Sequence, residues 1–237
     1  MKLADKVAIV TGGGRGIWRA TCLLFAREGA DVVVVARTPS EIEAVAGEIR
    51  AMGRRALAVP TDLSKEAQIE AMVRRALAEF GRVDVLVNNA GANADHAVLG
   101  MPTEEWHYVV DVNLTAGFLT CREVLPAMIK QRSCVIVNVT SRAAKVGRLR
   151  RSAYCAAKAG LGVFSMALAK EVEEYNIRVN TLLPGPVDTK MYARGADMVK
   201  EKLLPPEAVA DAILFLACDD SRGMTGTSID VFGSPWP

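Results

Sequence analysis

Tyr154 and Lys158 lie four residues apart in Tyr154-Cys155-Ala156-Ala157-Lys158, a spacing that puts both side chains on one face of a helix. A free phenol has a pKa near ~10 and is a sluggish proton donor or acceptor at neutral pH. A unit charge at about 4 Å in an effective dielectric of about 20 is worth ~4 kcal/mol, roughly three pKa units before desolvation of the phenolate is subtracted. The expectation is that the Lys158 ammonium lowers the Tyr154 pKa toward neutrality. Ser141 and Asn113, both upstream, could complete a proton-transfer site around this pair. Taken singly, Asn113 could serve a helix turn, Ser141 could finish a strand and Tyr154 could be a packed core phenol.

Such a site needs a frame that holds distant residues together. Short β-branched runs alternate with longer helical stretches: Val7 to Thr11, Val32 to Ala36, Ala56 to Pro60, Val83 to Asn88, Val135 to Thr140, Ile177 to Leu182 and Ser228 to Phe232. Runs such as Asp31-Val32-Val33-Val34-Val35-Ala36 are apolar on both faces, as parallel strands covered on two sides must be. The spacing predicts an α/β fold: one domain over 1–237, a doubly wound (Rossmann) parallel sheet of about seven strands with helices on both faces. Thr38-Pro39-Ser40-Glu41 reads as an N-cap threonine, a first-turn proline and a capping-box glutamate for a helix running to about Met52. Ser64, Thr103 and Ser152 are candidate caps of later helices. The rhythm breaks between Pro184 and Pro206, where a short loop or helix at about 188–204, with Met191, Tyr192, Arg194 and Met198, is expected to lie over the ligand.

Thr11-Gly12-Gly13-Gly14-Arg15-Gly16-Ile17 follows the first strand and opens a helix. Free backbone N–H groups and the helix dipole favour a pyrophosphate there, so Gly12, Gly14, Arg15, Gly16 and Ile17 are candidate nucleotide contacts. Trp18 stands where a last glycine would let the helix pack closely on the strand. Its indole could join Cys22 and Phe25 in an apolar stripe, with the helix tilting at a cost of about 1–3 kcal/mol. It could instead intrude on the cofactor groove and weaken binding. The second strand ends in Ala36-Arg37, with no carboxylate to repel a ribose 2′-phosphate, and Arg37 can pair with one bidentately while Arg15 adds a second cation. The pattern favours NADP(H).

The 29 basic and 27 acidic side chains nearly cancel, which suggests neither nucleic acid nor an anionic membrane as partner and leaves a small-molecule ligand. Five scattered cysteines form no metal-ligand or disulfide pattern and fit a reducing cytoplasm. No uninterrupted apolar run approaches the roughly 20 residues of a membrane span. Arg148-Leu149-Arg150-Arg151 forms a basic cluster near the expected substrate entrance; His96 and His107 show no partner pattern.

With Thr11-Gly12-x-x-x-Gly16-Ile17, Asn88-Asn89-Ala90-Gly91, Asn113, Ser141 and Tyr154-x-x-x-Lys158 in that order, nearly the whole chain resembles the short-chain dehydrogenase/reductase family. It is similar to the 3-oxoacyl-[acyl-carrier-protein] reductase-like members through Arg82 to Gly91, Ala153 to Leu161 and Pro184 to Thr189. The resemblance implies an NADP(H)-dependent oxidoreductase that interconverts a carbonyl and a secondary alcohol, on a small or acyl-type substrate. By it, Tyr154 is the general acid/base, Ser141 holds the same oxygen, Lys158 tunes Tyr154 and holds the nicotinamide ribose, and Asn113 positions a water leading to solvent. It also implies adenine-side contacts at Asp62 and Leu63, a central strand end at Asn89, Ala90 and Gly91, and a nicotinamide clamp at Pro184, Gly185, Val187 and Thr189. A homo-oligomer, dimer or tetramer, through helices near Thr115 to Lys130 and Ser152 to Glu173 is implied as well. Two other readings stay open: a catalytically silent nucleotide-sensing or scaffold protein, motivated by Trp18, and an NAD-linked alcohol dehydrogenase.

Overall fold

β-Branched residues crowd at χ1 in a helix and pack well on a pleated surface, and here they mark a single seven-stranded parallel sheet. The computed structural model describes residues 1–12, 14–189 and 203–232. The strands are β1 (Val7–Thr11), β2 (Asp31–Ala36), β3 (Ala56–Pro60), β4 (Val85–Asn88), β5 (Cys134–Val139), β6 (Ile177–Pro184) and β7 (Ser228–Val231), in the order β3-β2-β1-β4-β5-β6-β7. Between them run α1 (Ile17–Arg27), α2 (Pro39–Ala51), α3 (Glu66–Phe80), α4 (Thr103–Val110), α5 (Ala116–Gln131), α6 (Ser152–Glu171) and α7 (Pro206–Ala217). The strand order reverses between β1 and β4, which opens a crevice at their carboxyl ends. Thr11 and Asn88 are partners in register there.

The sheet has a core on each face, and period-two alternation sorts the strand residues between them. Ala8, Val10, Val32 and Val34 pack on one side with Trp18, Ile42 and Ile213 from α1, α2 and α7. Ile9, Val33, Val35 and Leu86 pack on the other with Met72, Val124 and Leu168 from α3, α5 and α6. This is why the strands read as continuous apolar runs.

Local details depart from the expected ones. β4 begins at Val85 because the backbone of Val83 pairs with the side-chain amide of Gln131, Val83 N to Oε1 at 3.1 Å and Gln131 Nε2 to Val83 O at 3.1 Å. Thr38 does precede α2, with Pro39 first in the helix, but its side chain makes no capping bond. Glu41 turns to Arg15 at 3.2 Å instead of closing a capping box. Ser64, Thr103 and Ser152 are not caps: Lys65, Pro102 and Arg151 precede those helices. Ser64 is drawn off by Asp62, to whose Oδ1 its hydroxyl donates at 2.9 Å and its backbone N–H at 3.0 Å.

By length and mean hydropathy α6 could cross a bilayer, although polar residues interrupt its apolar sequence. Its apolar residues Leu161, Leu168 and Ala169 are buried in the fold. After β6, Val187 pairs with Leu204, Asp188 N donates to Leu204 O at 2.9 Å and Leu204 N to Pro186 O at 2.8 Å. Most of the lid expected at 188–204, including Met191, Tyr192, Arg194 and Met198, lies outside the described residues.

Candidate active site

At the carboxyl end of β5 the chain leaves the sheet extended at Ser141, whose Oγ accepts from Ala143 N at 3.2 Å and caps the short turn Arg142–Ala144. That bond leaves the hydroxyl proton free to point elsewhere. One helix away, Ala153, Ala157 and Leu161 bury one side of α6, and the same burial carries Lys158 inside. Lys158 is 2% exposed, and its Nζ donates to Val139 O at 3.0 Å and to Ala90 O at 3.4 Å. Removed from water, its ammonium titrates at about 8, well below an ordinary lysine.

Tyr154 does not behave as the spacing suggests. Burial pushes its pKa above the usual phenol value, while hydrogen bonding with Ser141 and the positive fields of Arg151 and Arg148 pull in the other direction without winning. Lys158 is not among the groups lowering it. Lys158 gives up its proton at about 8, so it is already neutral where a phenol held above its ordinary value would ionise. Its nitrogen stands over the ring, 5.9 Å from the centroid, and donates to two backbone carbonyls.

Asn113 sits in a π-type turn, Asp111–Thr115, that joins α4 to α5. Such turns widen a helix by one residue and are frequent at functional sites. The widened turn buries Asn113, whose Nδ2 donates to Ala92 O at 2.7 Å and Val109 O at 2.8 Å. Its Oδ1 is buried without a partner among the described residues. A Cβ built on Gly91 would stand 3.1 Å from that oxygen and 3.8 Å from Lys158 Nζ. Asn113, Gly91 and Lys158 therefore meet, with one acceptor unsatisfied between them.

The glycine turn closes against this group. Gly12 has φ +155°, and a Cβ there would lie 2.8 Å from both Asn89 Nδ2 and Trp18 Cδ1. Gly16 has φ +64°, and its Cβ would lie 2.8 Å from Thr189 Cγ2. Side chains at either place would fill the cleft between the loop and the ends of β4 and β6. Thr11 ties the two strand ends together, donating to Val87 O and accepting from Asn89 N, each at 3.3 Å. Trp18 faces the core, not the groove. It is 1% exposed, donates from Nε1 to Val10 O at 2.9 Å, and lies with the fully buried Cys22 and Phe25. The packing outcome is the one observed; the missing Cβ of Gly12 makes room for the indole edge.

Farther along the crevice, Arg37 is exposed at the end of β2 and donates to the Tyr108 hydroxyl at 2.9 Å. Burial would raise the Asp62 pKa, but hydrogen bonds from Ser64 and the charges of Arg37 and Lys65 bring it below the usual carboxylate value. Arg37 and Asp62 thus share one corner, beside the buried Leu63. Arg15 is held by Glu41. Opposite, Gly185 N donates to Val231 O at 2.9 Å, and a Cβ on Gly185 would come within 3.1 Å of Phe232 Cα. Thr189 therefore borders the same cleft as the glycine turn, and Pro184, Gly185 and Val187 lead up to it from the end of β6.

Some contacts have no signal in the sequence. Tyr108 comes to Arg37 from α4, at no characteristic spacing. His96 has an acidic neighbour after all, its Nδ1 lying 2.5 Å from Glu105 Oε2 but without the angle of a hydrogen bond. Beneath the site Thr120 Oγ1 donates to Asn88 Oδ1 at 2.7 Å, Asn88 Nδ2 to Asn138 Oδ1 at 2.9 Å, and Asn138 Nδ2 to Ser165 Oγ at 2.7 Å. This buried relay joins α5, β4, β5 and α6 and fixes the elements that carry Asn113 and Tyr154.

Known proteins resemble this chain in sequence and fold. The family model described as short chain dehydrogenase matches residues 6–199. The 3-oxoacyl-[acyl-carrier-protein] reductase of Chlamydia muridarum is 39% identical over 98% of this chain and 97% of its own. The enzyme of that name from Thermotoga maritima is 36% identical over 98% of each. Among solved structures, a short-chain type dehydrogenase/reductase from Mycobacterium marinum matches with a TM-score of 0.91 and 32% identity, over 98% of this chain and 95% of that one. A putative short-chain dehydrogenase/reductase from Burkholderia xenovorans gives 0.89 and 34%, over 97% and 96%. A parallel sheet reversed at β1 and β4, a glycine turn at that reversal, and matches of this extent place the chain in the short-chain dehydrogenase/reductase family of oxidoreductases, which use a nicotinamide cofactor.

Proposed function

We propose that this protein is an NADP(H)-dependent carbonyl reductase, with Tyr154 as the proton donor to the carbonyl oxygen and an acyl-type or other small ketone as substrate. The observation that carries the reading is the convergence of Ser141, Tyr154, Lys158 and Asn113 beside a glycine turn that has no room for side chains. The cofactor would be held by Gly12, Gly14, Arg15, Gly16 and Ile17 at its phosphates and by Arg37, Asp62 and Leu63 at its adenosine end. Asn89, Ala90, Gly91, Tyr154, Lys158, Pro184, Gly185, Val187 and Thr189 would hold the nicotinamide end. When bound, the nicotinamide supplies a hydride to the carbonyl carbon.

The protein supplies the proton. The Tyr154 phenol, held above its ordinary pKa by burial, is protonated at pH 7 and so has a proton to give to the carbonyl oxygen. The Ser141 hydroxyl, free to donate, steadies the oxygen as negative charge grows on it. Lys158, titrating at about 8, can give up and recover a proton near neutrality. A water held between its Nζ and the unpartnered Asn113 Oδ1 would link it to solvent. The apolar residues exposed on α5 and α6, Phe118, Val163 and Met166, support a homo-oligomer joined through those helices. Five free cysteines support a reducing, cytoplasmic setting.

The silent-scaffold reading loses its motive with Trp18 packed in the core, and cofactor choice separates what remains. NADPH at about one hundred times its Kd should stabilise the protein by ~2.7 kcal/mol in thermal unfolding, with NADH at the same concentration giving much less. Arg37→Ala should weaken NADPH binding by about 10- to 100-fold, the worth of a charge-assisted pair, and leave NADH within about threefold. An unchanged preference in Arg37→Ala would favour the NAD-linked dehydrogenase; no response to either nucleotide would favour the silent protein.

A further inference from the structure

Within the basic cluster before α6, the three arginines have different surroundings. Arg150 is engaged: its Nε donates to Asp95 Oδ1 at 2.8 Å and its Nη2 to Asp95 O at 2.9 Å, while His96 N donates to Arg150 O at 3.0 Å. This arginine fastens the segment after β4 to the start of α6. Arg151 is different. It is half-buried and has no ion pair, side-chain hydrogen bond or ring contact among the described residues, the only half-buried arginine there of which this is true. Burying part of a guanidinium without a partner is costly, and the ordinary remedy is an anion.

The position says where that anion would sit. Arg151 immediately precedes α6, and its carbonyl accepts from Cys155 N at 2.9 Å. It is the N-cap of α6 and Tyr154 is the third residue of that helix, the two positions whose side chain and backbone approach one another at a helix start. Asp95 is already occupied by the neighbouring arginine, Arg150. The positive charge of Arg151 lies close enough to pull down the pKa of the Tyr154 phenol.

We propose that Arg151 is a specificity-determining residue that pairs with a carboxylate on the substrate, and that the enzyme reduces oxo acids carrying that carboxylate a few bonds from the ketone. The inference rests on the reading of Tyr154 as proton donor to a carbonyl. The chemistry balances as oxo acid, NADPH and one proton giving hydroxy acid and NADP⁺, with the carboxylate unchanged. A guanidinium fork matches a carboxylate bidentately, and an ammonium would match it only as a point charge.

The test compares acetoacetate with its neutral ethyl ester, reading turnover with NADPH and calorimetric binding to the protein–NADPH complex. The wild type should favour the acid in kcat/KM by about tenfold or more. Arg151→Gln should raise KM and Kd for acetoacetate by about 10- to 100-fold, with kcat changed little and the ester within about twofold; Arg151→Lys should recover part of the loss. Equal effects of Arg151→Gln on acid and ester, or ester turnover without preference for the acid, would overturn the anion site alone. Turnover of neither compound would overturn the carbonyl reading together with it.

Discussion

An ammonium without a counter-ion inside a protein survives only if something repays its lost hydration, and among the described residues Lys158 has two backbone carbonyls and the Tyr154 ring to do so. Its titration at about 8 records the shortfall. Since the unfolded chain holds its proton up to about 10.5, it binds more protons than the folded one between those values. Stability therefore rises with pH across that window, and the cost is fully present below pH 8. We predict that Lys158→Met, which keeps the apolar stem, stabilises the cofactor-free protein at pH 7 by about 1–3 kcal/mol while removing most activity. Its advantage in thermal unfolding should shrink toward pH 10; a variant no more stable than the wild type at pH 7 would contradict the assignment. At this scale the residue types are legible in the sequence, but the direction of the electrostatics is not. The four-residue spacing predicts adjacency, whereas the Tyr154 and Lys158 pKa values depend on how dry each group is, and that is not written in a local motif.

Among the elements, α1 and the turn before it show how a tryptophan occupies a place that ordinarily needs a glycine. The indole leans back onto β1, spends its N–H on Val10 O and uses the space left by the absent Cβ of Gly12. Trp18→Gly should accordingly cost stability, about 3–5 kcal/mol for the lost side chain and ~1 kcal/mol for glycine in a helix. NADPH affinity should stay within about threefold of wild type, measured by fluorescence titration below the variant's Tm. A tenfold gain in affinity would mean that the indole obstructs the groove. Strands and helices are readable from periodicity because the sheet is buried on both faces; the caps are not. Thr38 and Glu41 have the composition of a capping box, yet Glu41 has a better partner in Arg15, on the glycine turn it packs against. The widened turn that buries Asn113 likewise leaves no mark in the hydrophobic pattern, since one extra residue per turn is too small a shift in period to detect.

For the whole molecule, the strand order matters most. Reversal between β1 and β4 gathers Thr11, Asn88 and the segments after β5 and β6 at one end of the sheet, so residues 12 to 189 can contribute to one cleft. Motif order along the chain makes part of this legible, because the glycine turn, Asn89 to Gly91, Ser141 and Gly185 to Thr189 follow the ends of β1, β4, β5 and β6. Surface roles are less so: Val163 and Met166 on α6 are 68% and 49% exposed, although as apolar residues they are not distinguished by type from the buried Leu161 and Leu168. If that face joins copies of the chain, Val163→Glu should lower the molar mass in light scattering to that of a smaller assembly or a monomer, by placing like charges across a two-fold contact. An unchanged mass would place the interface elsewhere.

The central claim is that Tyr154 hands a proton to a carbonyl oxygen. Its most direct test is single-turnover reduction of a 3-oxoacyl substrate by Tyr154→Phe with NADPH saturating. Removing only the hydroxyl should slow the chemical step by about 10²- to 10⁴-fold, the usual worth of general acid catalysis, with the Kd for NADPH within about threefold. Reduction at the wild-type rate in that variant would contradict the account.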